Sequence, residues 1–301
     1  MRDHDFASPR RRRFDDDDPT FLKRLSHDFD TAWETSDDPS GDEAQYTTWD
    51  APGVLHGPEP RPEWVVTSLA ARDTELGVLK TGKEADVHLV ERAVPGSETA
   101  GARALLAAKR YRSAEHRMFH RDAGYLEGRR VRESRVTRAM AGRTAFGREA
   151  IAGQWAAAEF AALGRLWALG VSVPYPVQLL GTELMLEFVG AADGTAAPRL
   201  AQTRPSRAEL ASLWEQLADA LRVLARAGLA HGDLSPYNLL VDGERLVLID
   251  LPQIVDVVAN PNGAEFLARD VTNVARWFTG KGLAVEPEPL VGELLYDAGV
   301  R

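Results

Sequence analysis

The distribution of apolar and polar residues along the chain predicts several short strands and two longer helices. Apolar positions three and four residues apart predict a helix over residues 149–169 and another over 206–227, with Ser206 as N-cap and Gly228 as its end. Short apolar runs separated by glycine, proline or polar residues predict strands at 76–80, 85–90, 104–111, 177–180 and 184–188. This order of elements favours an α+β fold.

The stretch that follows the second predicted helix is the most informative. Asp233 lies in a His-Gly-Asp-Leu sequence, Asn238 follows five residues later, and Asp250 ends the next apolar strand, with a short hairpin between them. This layout resembles the one in protein kinases, where the first aspartate accepts or orients the hydroxyl proton and the other two residues hold Mg²⁺. The sequence therefore predicts a catalytic loop and a metal-binding loop.

Two upstream features suit the same chemistry. The turn at residues 81–84 contains one glycine between two predicted strands, so it either folds over phosphates or forms an ordinary hairpin. Lys109 ends an apolar run, where a buried lysine needs an anionic partner. Glu159, in the middle of the first predicted helix, is the candidate partner, and the alternative is a strand-end lysine that reaches solvent.

Charge is unevenly distributed along the 301 residues, whose net charge is −9. Residues 1–60 hold 15 acidic and 7 basic residues and are rich in Pro and Gly, which predicts an acidic disordered tail. Residues 110–149 hold 11 arginines and 5 acidic residues, with aromatic residues among them. They predict a flexible Arg-rich loop that contacts phosphate or RNA, or else one that packs on the acidic tail or covers a nucleotide site.

The chain contains no cysteine and no apolar run of the length needed to cross a bilayer. Disulfides, thiolate metal sites and membrane insertion are therefore not expected, and a cytoplasmic location is favoured.

Several segments together resemble the RIO family of atypical protein kinases, and within it the Rio1 branch. The resemblance covers residues 62–280 in kinase order and spacing. It is carried by Thr81-Gly82-Lys83-Glu84-Ala85-Asp86-Val87, Ala108-Lys109, the predicted helix around Glu159, Leu186-Glu187-Phe188-Val189-Gly190, His231-Gly232-Asp233-Leu234-Ser235 with Asn238, Ile249-Asp250-Leu251-Pro252-Gln253, and residues 264–271. It implies a two-lobed kinase-like fold without an activation segment, with an N-lobe of antiparallel sheet and one helix at 61–190 and a mostly helical C-lobe at 191–301.

The resemblance also implies a role for individual residues, with ATP and Mg²⁺ as cofactors and Mn²⁺ as an alternative ion. It assigns Lys109 to the α- and β-phosphates and Glu159 as its ion-pair partner. It makes Asp233 the catalytic base, and Asn238 and Asp250 the metal ligands. Nucleotide binding is further assigned to Thr81, Gly82, Lys83, Glu84 and Val87 in the phosphate loop, and to Glu187 and Val189 in the hinge between the lobes.

The implied activity is ATP-dependent serine/threonine phosphorylation of another protein or of the chain itself, with phosphate carried transiently on Asp250. Family members act in maturation of the small ribosomal subunit in archaea and eukaryotes, so RNA or that subunit is a candidate partner of residues 110–149. A monomer is expected. One departure from the family pattern is Asp86, which replaces the usual asparagine and adds a negative charge near the phosphates unless it points away.

Two other functions remain open from the sequence. One is a nucleotide-gated assembly factor for ribonucleoprotein, whose slow hydrolysis times its release. The other is a small-molecule kinase of the aminoglycoside or choline type, which also uses a His-Gly-Asp-Leu loop and needs a large acidic substrate pocket after Asp250.

Overall fold

A computed structural model describes residues 44–112, apart from 98 and 100, and residues 145–300, with side chains of the helix that starts at residue 145 described from residue 151 onward. The predicted acidic tail over residues 1–43 and the Arg-rich loop over residues 113–144 lie outside the described residues.

The first half of the described chain forms one antiparallel sheet. All five predicted strands are present, and the sheet also contains two short strands that the sequence pattern did not predict. The strands are β1 (Gln45–Tyr46), β2 (Leu55–His56), β3 (Arg72–Thr81), β4 (Ala85–Ala93), β5 (Arg103–Tyr111), β6 (Pro176–Leu180) and β7 (Glu183–Glu187). Their order in the sheet is β1-β3-β4-β5-β7-β6-β2.

The two faces of this sheet have different roles. In β5, Leu106 and Ala108 are buried against a core that includes Trp49, Val66 and Tyr175. Lys109 therefore points to the opposite face, because successive residues of a strand alternate between faces. One face of the sheet is therefore packed against the core, and the opposite face carries Lys109.

Residues 44–60 are part of the sheet, so the prediction that a disordered tail extends to residue 60 is wrong for this segment. β1 pairs with β3, and β2 pairs with β6. Trp49 is 8% exposed and stacks on His56, with ring centroids 4.0 Å apart. Strands of two residues leave no periodic pattern in a sequence, so burial of Trp49 provides the anchor here.

A buried polar network joins this segment to the rest of the sheet. Arg92 is fully buried and donates from Nε and Nη2 to the two carboxylate oxygens of Asp73, each at 2.7 Å. Its Nη1 donates to Gln178 Oε1 at 2.8 Å, and Gln178 Nε2 donates to Thr48 Oγ1 at 2.7 Å. The guanidinium charge is therefore compensated in the interior by a bidentate pair.

The helices lie mostly in the second half of the described chain. Ser206 caps the helix that begins at Arg207, as predicted, since its hydroxyl accepts from Glu209 N at 3.3 Å and the Glu209 carboxylate accepts from Ser206 N at 2.6 Å. Gly228 follows this helix with a φ of 75°. The helices are α1 (Ala145–Ala168), α2 (Arg207–Arg226), α3 (Gly263–Gly280) and α4 (Pro287–Asp297), with a 3₁₀ turn at Leu200–Gln202.

Two strand pairs frame the predicted catalytic stretch. β9 (Leu239–Asp242) and β10 (Arg245–Leu248) form the predicted hairpin, and β8 (Leu229–Ala230) pairs with β11 (Val255–Asp256). After Asp250 the chain returns through β11 directly to α3, so this connection has no room for an activation segment. The predicted α+β fold, with a sheet-rich N-terminal lobe and a helical C-terminal lobe, is confirmed. No helix of the described residues is long and apolar enough to span a membrane.

Candidate active site

Lys109, near the end of β5, forms two ion pairs with carboxylates from distant parts of the chain. Its Nζ lies 2.8 Å from Glu159 on α1 and 2.8 Å from Asp250 Oδ1, which follows β10. The side chain of Lys109 is 12% exposed and that of Glu159 only 1%. Burial by itself lowers the pKa of Lys109, but the two carboxylates outweigh it and hold the pKa above its ordinary value.

The structure thus brings Lys109 and Glu159 together, as the predicted pair requires. The alternative of a strand-end lysine that reaches solvent does not apply, because the ammonium group is buried between two carboxylates. Assignment of Lys109 to nucleotide phosphates stays a prediction.

The Glu159 carboxylate is held in place by two further donors. The Tyr111 hydroxyl donates a hydrogen bond to Glu159 Oε2, and Leu251 N donates one to Glu159 Oε1 at 3.3 Å. Burial raises the pKa of Tyr111 well above its ordinary value, and the charge of Glu159 raises it further, so the phenol stays a donor. Tyr111 was not among the predicted site residues, although its position two residues after Lys109 in the same strand places both side chains on one face.

Asp250 adopts a left-handed backbone conformation, with a φ of 67°. Aspartate is one of the few residues that tolerate this region, and such a conformation often marks a functional turn. The preceding residue, Ile249, is held by the predicted catalytic loop, since its N–H donates to Asn238 O at 3.0 Å and its carbonyl accepts from His231 Nε2 at 3.1 Å. Burial raises the pKa of Asp250, but the positive charges around it, above all that of Lys109, outweigh this, so its pKa lies below the ordinary value.

Asp233 and Asn238 face each other across the predicted catalytic loop. Asn238 Nδ2 donates to the Asp233 carbonyl at 2.8 Å and lies 3.4 Å from Asp233 Oδ2. Asn238 is 7% exposed, and its amide nitrogen makes these contacts to the loop. The amide oxygen Oδ1 of Asn238 therefore remains available as an acceptor. The structure therefore links the candidate base to one candidate metal ligand, and through Ile249 to the other.

Asp270 on α3 holds the backbone of this loop in place. It is 1% exposed, and its carboxylate accepts from Gly232 N at 2.7 Å and from Leu234 N at 3.0 Å, one on each side of Asp233. Burial raises the pKa of Asp270, and the two N–H donors offset this only in part. Gly232 has a φ of 85°, and a Cβ at this position would lie 2.2 Å from Gln253 O, so a side chain there is excluded.

The predicted phosphate loop is a tight turn at the end of β3. Gly82 N donates to Ala85 O at 3.0 Å, and the Glu84 carbonyl accepts from Arg112 N at 2.8 Å. A Cβ on Gly82 would lie 2.8 Å from Ala85 O, so the turn favours glycine. The predicted loop residues Thr81, Gly82, Lys83 and Glu84 form this turn or flank it, and Val87 is paired with Lys109 in the sheet.

Asp86 points away from the face that carries Val87 and Lys109, because it alternates with Val87 along β4. Its carboxylate accepts from Arg112 Nε at 2.7 Å and from Arg112 Nη2 at 2.6 Å. The negative charge that departs from the family pattern is therefore paired with a guanidinium on the other side of the sheet.

The predicted hinge follows β7. The Glu187 carboxylate accepts from Tyr175 N at 3.0 Å, and the Val189 carbonyl accepts from Ala197 N at 3.0 Å. A cavity of about 430 Å³ adjoins this segment and is lined by residues that include Trp64, Arg103, Glu187 and Phe188. The N–H of Glu187 also donates to Tyr175 O at 2.9 Å, so both the side chain and the N–H of Glu187 make contacts within the protein. The roles of Glu187 and Val189 in nucleotide binding stay predictions.

Comparison with known proteins places this arrangement in a family. Residues 103–289, more than half of the chain, match the RIO domain. The chain is 41% identical over 145 residues to the RIO-type serine/threonine-protein kinase Rio1 of Haloferax volcanii, covering 48% of this chain and 49% of that protein. It is 29% identical over 235 residues to the serine/threonine-protein kinase RIO1 of Saccharomyces cerevisiae, covering 71% of this chain and 46% of that protein.

The same relationship extends to an animal protein. The chain is 30% identical over 243 residues to the serine/threonine-protein kinase RIO1 of Caenorhabditis elegans, covering 79% of this chain and 44% of that protein. The chain thus spans about half the length of the curated relatives it matches.

Proposed function

The chain belongs to the RIO family of serine/threonine protein kinases, and we propose that it is itself an ATP-dependent serine/threonine kinase. The observation that carries this proposal is the convergence of Lys109, Glu159 and Asp250 within hydrogen-bond distance. The same Asp250 is joined through Ile249 to the loop that holds Asp233 and Asn238. Five residues of the types that phosphoryl transfer requires are thus linked by a continuous set of contacts.

The residues present fit a magnesium ion. Mg²⁺ prefers oxygen ligands and is usually held by one or two protein oxygens together with substrate phosphates. Asn238 Oδ1 is available, because the amide nitrogen makes the contacts to the loop. Asp250 contacts Lys109 through Oδ1, which leaves Oδ2 for a metal. When bound, the ion neutralises charge on the β- and γ-phosphates.

In the proposed reaction, an acceptor hydroxyl oxygen forms a bond to the γ-phosphorus while the bond between that phosphorus and the β,γ-bridging oxygen breaks. ADP leaves, and Asp233 accepts the hydroxyl proton. Lys109 holds the inner phosphates, and Glu159 holds Lys109 in position. Asp270 acts as a positioning residue, since it fixes the backbone on both sides of Asp233.

We propose a protein hydroxyl as the acceptor, either on a partner or on the chain itself. The connection from Asp250 to α3 spans only about a dozen residues, which leaves little room for the acidic substrate pocket of a small-molecule kinase. RNA or the small ribosomal subunit remains the proposed partner of residues 110–149, on the basis of their arginine content.

Incubation of the full chain with Mg²⁺ and γ-labelled ATP tests the proposal. We expect labelled protein from the wild type, and a rate at least about a hundredfold lower for Asp233→Ala and Asp250→Ala, because each removes a charge used in the transition state. Asp219→Ala is the matched control, since its carboxylate is 77% exposed on α2. Equal incorporation by the wild type and the Asp233 variant, or none by the wild type, would contradict the proposal.

A further inference from the structure

Lys80, the last residue but one of β3, lies on the same face of the sheet as Lys109. Residues directly opposite each other in an antiparallel pair direct their side chains to the same side. Lys80 is paired with Val87, and Val87 with Lys109, so these three side chains form one row. Because Lys109 points to the two carboxylates of the site, Lys80 also lies on the active-site face.

The local backbone explains how Lys80 reaches this face. The register of β3 against β4 shifts between Val78 and Lys80, so that Leu79 is an extra residue in the ladder. Without this bulge, Lys80 would be displaced by one position relative to Val87, and its side chain would point to the opposite face. The irregularity therefore brings a second lysine to the site.

Lys80 has charged neighbours of both signs. Partial burial lowers the pKa of Lys80; the charges of Asp250 and Glu84 oppose this effect, while Arg199 and Lys109 reinforce it. Within the part of the chain that the structure describes, the ion pairs of Asp250 and Glu159 are made with Lys109, and Lys80 has no ion-pair partner. A lysine in such a position is stabilised when an anion enters the site.

We propose that Lys80 binds the terminal phosphate of ATP, beside the contact of Lys109 with the inner phosphates. This inference rests on the proposed kinase function. β3 runs from Lys80 straight into the phosphate loop, and Asp250, the candidate metal ligand, is the carboxylate that acts on Lys80. Lys83, which the sequence analysis assigned to the nucleotide, lies within the turn and outside the paired rows.

The test compares nucleotides with and without a terminal phosphate group. Calorimetric titration of the full chain with the β,γ-imido analogue of ATP and with ADP, each with Mg²⁺, gives both affinities. For Lys80→Ala and Lys80→Gln we expect the affinity for the ATP analogue to fall about tenfold or more, because a hydrogen bond to a charged group is lost. We expect the affinity for ADP to change by less than about threefold, since ADP lacks the contacted group.

Two further variants control for charge and geometry. Lys80→Arg retains the positive charge and restores most of the affinity for the ATP analogue. Lys281→Ala, at the end of α3, removes one lysine elsewhere and leaves both affinities unchanged.

The outcomes separate this inference from the kinase proposal. If the wild type binds neither nucleotide, the kinase proposal fails, and this inference fails with it. If the wild type binds both nucleotides and Lys80→Gln binds them equally well, only the role of Lys80 is refuted. An equal loss of affinity for both nucleotides also refutes the assignment to the terminal phosphate.

Discussion

Replacement of Lys109 by methionine tests the ion-pair cluster directly, because it removes the cation and retains most of the apolar stem. The side chain of Glu159 is 1% exposed and that of Asp250 is about one third exposed. In the variant, water therefore cannot fully solvate the two carboxylates that have lost their cation. Loss of one partner of a buried pair costs about 3–5 kcal/mol. For a folded region of this size, that loss corresponds to a fall in Tm of roughly 10 °C.

The size of this effect depends on pH in a defined direction. In the wild type, Lys109 holds the pKa of Asp250 below its unfolded value, so the stability contributed by that group is present at neutral pH and lost as the pH falls through the folded pKa. In Lys109→Met, burial still raises the pKa of Asp250 while the largest opposing influence is lost, so the pKa in the folded variant lies above that in the folded wild type. The folded variant then takes up a proton at higher pH than the folded wild type, so acidification stabilises the variant relative to the wild type.

Thermal unfolding followed by circular dichroism at about pH 7.5 and about pH 5.5 measures both effects. We expect the Tm difference between the wild type and Lys109→Met to be smaller at the lower pH. The double variant Lys109→Met/Glu159→Gln should recover part of the loss, because it removes one of the unpaired charges. A Tm difference within about 2 °C, or one that widens on acidification, would refute the stabilising role of Lys109 between the two carboxylates.

Three other changes test separate parts of the structure. Asp270→Asn places an amide donor against one of the two backbone N–H groups that Asp270 accepts from, so we expect the free energy of unfolding measured with urea to fall by about 2 kcal/mol. We also expect a lower rate of phosphorylation with unchanged nucleotide affinity. Tyr111→Phe removes one donor to Glu159, and we expect about 1–2 kcal/mol lower stability in the same assay, whereas loss of no more than about 0.3 kcal/mol would contradict that contact. A chain that begins at residue 44 should retain the wild-type Tm. A chain that begins at residue 62 lacks the buried Trp49 and the hydrogen bond between Gln178 and Thr48, and its Tm should be at least about 6 °C lower.

The strong periodic patterns of this chain predicted its main elements well. The apolar positions and the Ser206 cap of α2 identified that helix to within one residue at either end. The two-residue strands β1 and β2 were missed, because they are held by a buried tryptophan and by contacts to β3 and β6 rather than by a pattern of their own. Local pattern therefore predicts elements that carry their own apolar face and misses those that depend on distant partners.

The same distinction applies to the site. The loop residues Asp233, Asn238 and Asp250 are recognisable because their spacing is local. Asp270 was missed because it acts on N–H groups 36 and 38 residues away in the sequence, and only the packing of α3 brings it there. The direction of Asp86, in contrast, follows from strand alternation alone, since its neighbour Val87 faces the site.

The position of Lys109 between two carboxylates has a consequence for how nucleotide and metal enter the proposed site. Asp250 is at once a partner of Lys109, through Oδ1, and a candidate metal ligand, through Oδ2, so a metal at Asp250 and the ammonium group would share the charge of one carboxylate. A nucleotide phosphate gives Lys109 a new anionic partner, and this lowers the cost of giving Asp250 to the metal. Glu159 keeps its contacts throughout, because Tyr111 and Leu251 donate hydrogen bonds to its carboxylate. Glu159 therefore holds Lys109 in place. For the proposed kinase, we therefore expect the binding of nucleotide and of metal to be coupled through Lys109, because a phosphate bound to Lys109 leaves more of the Asp250 charge for the metal.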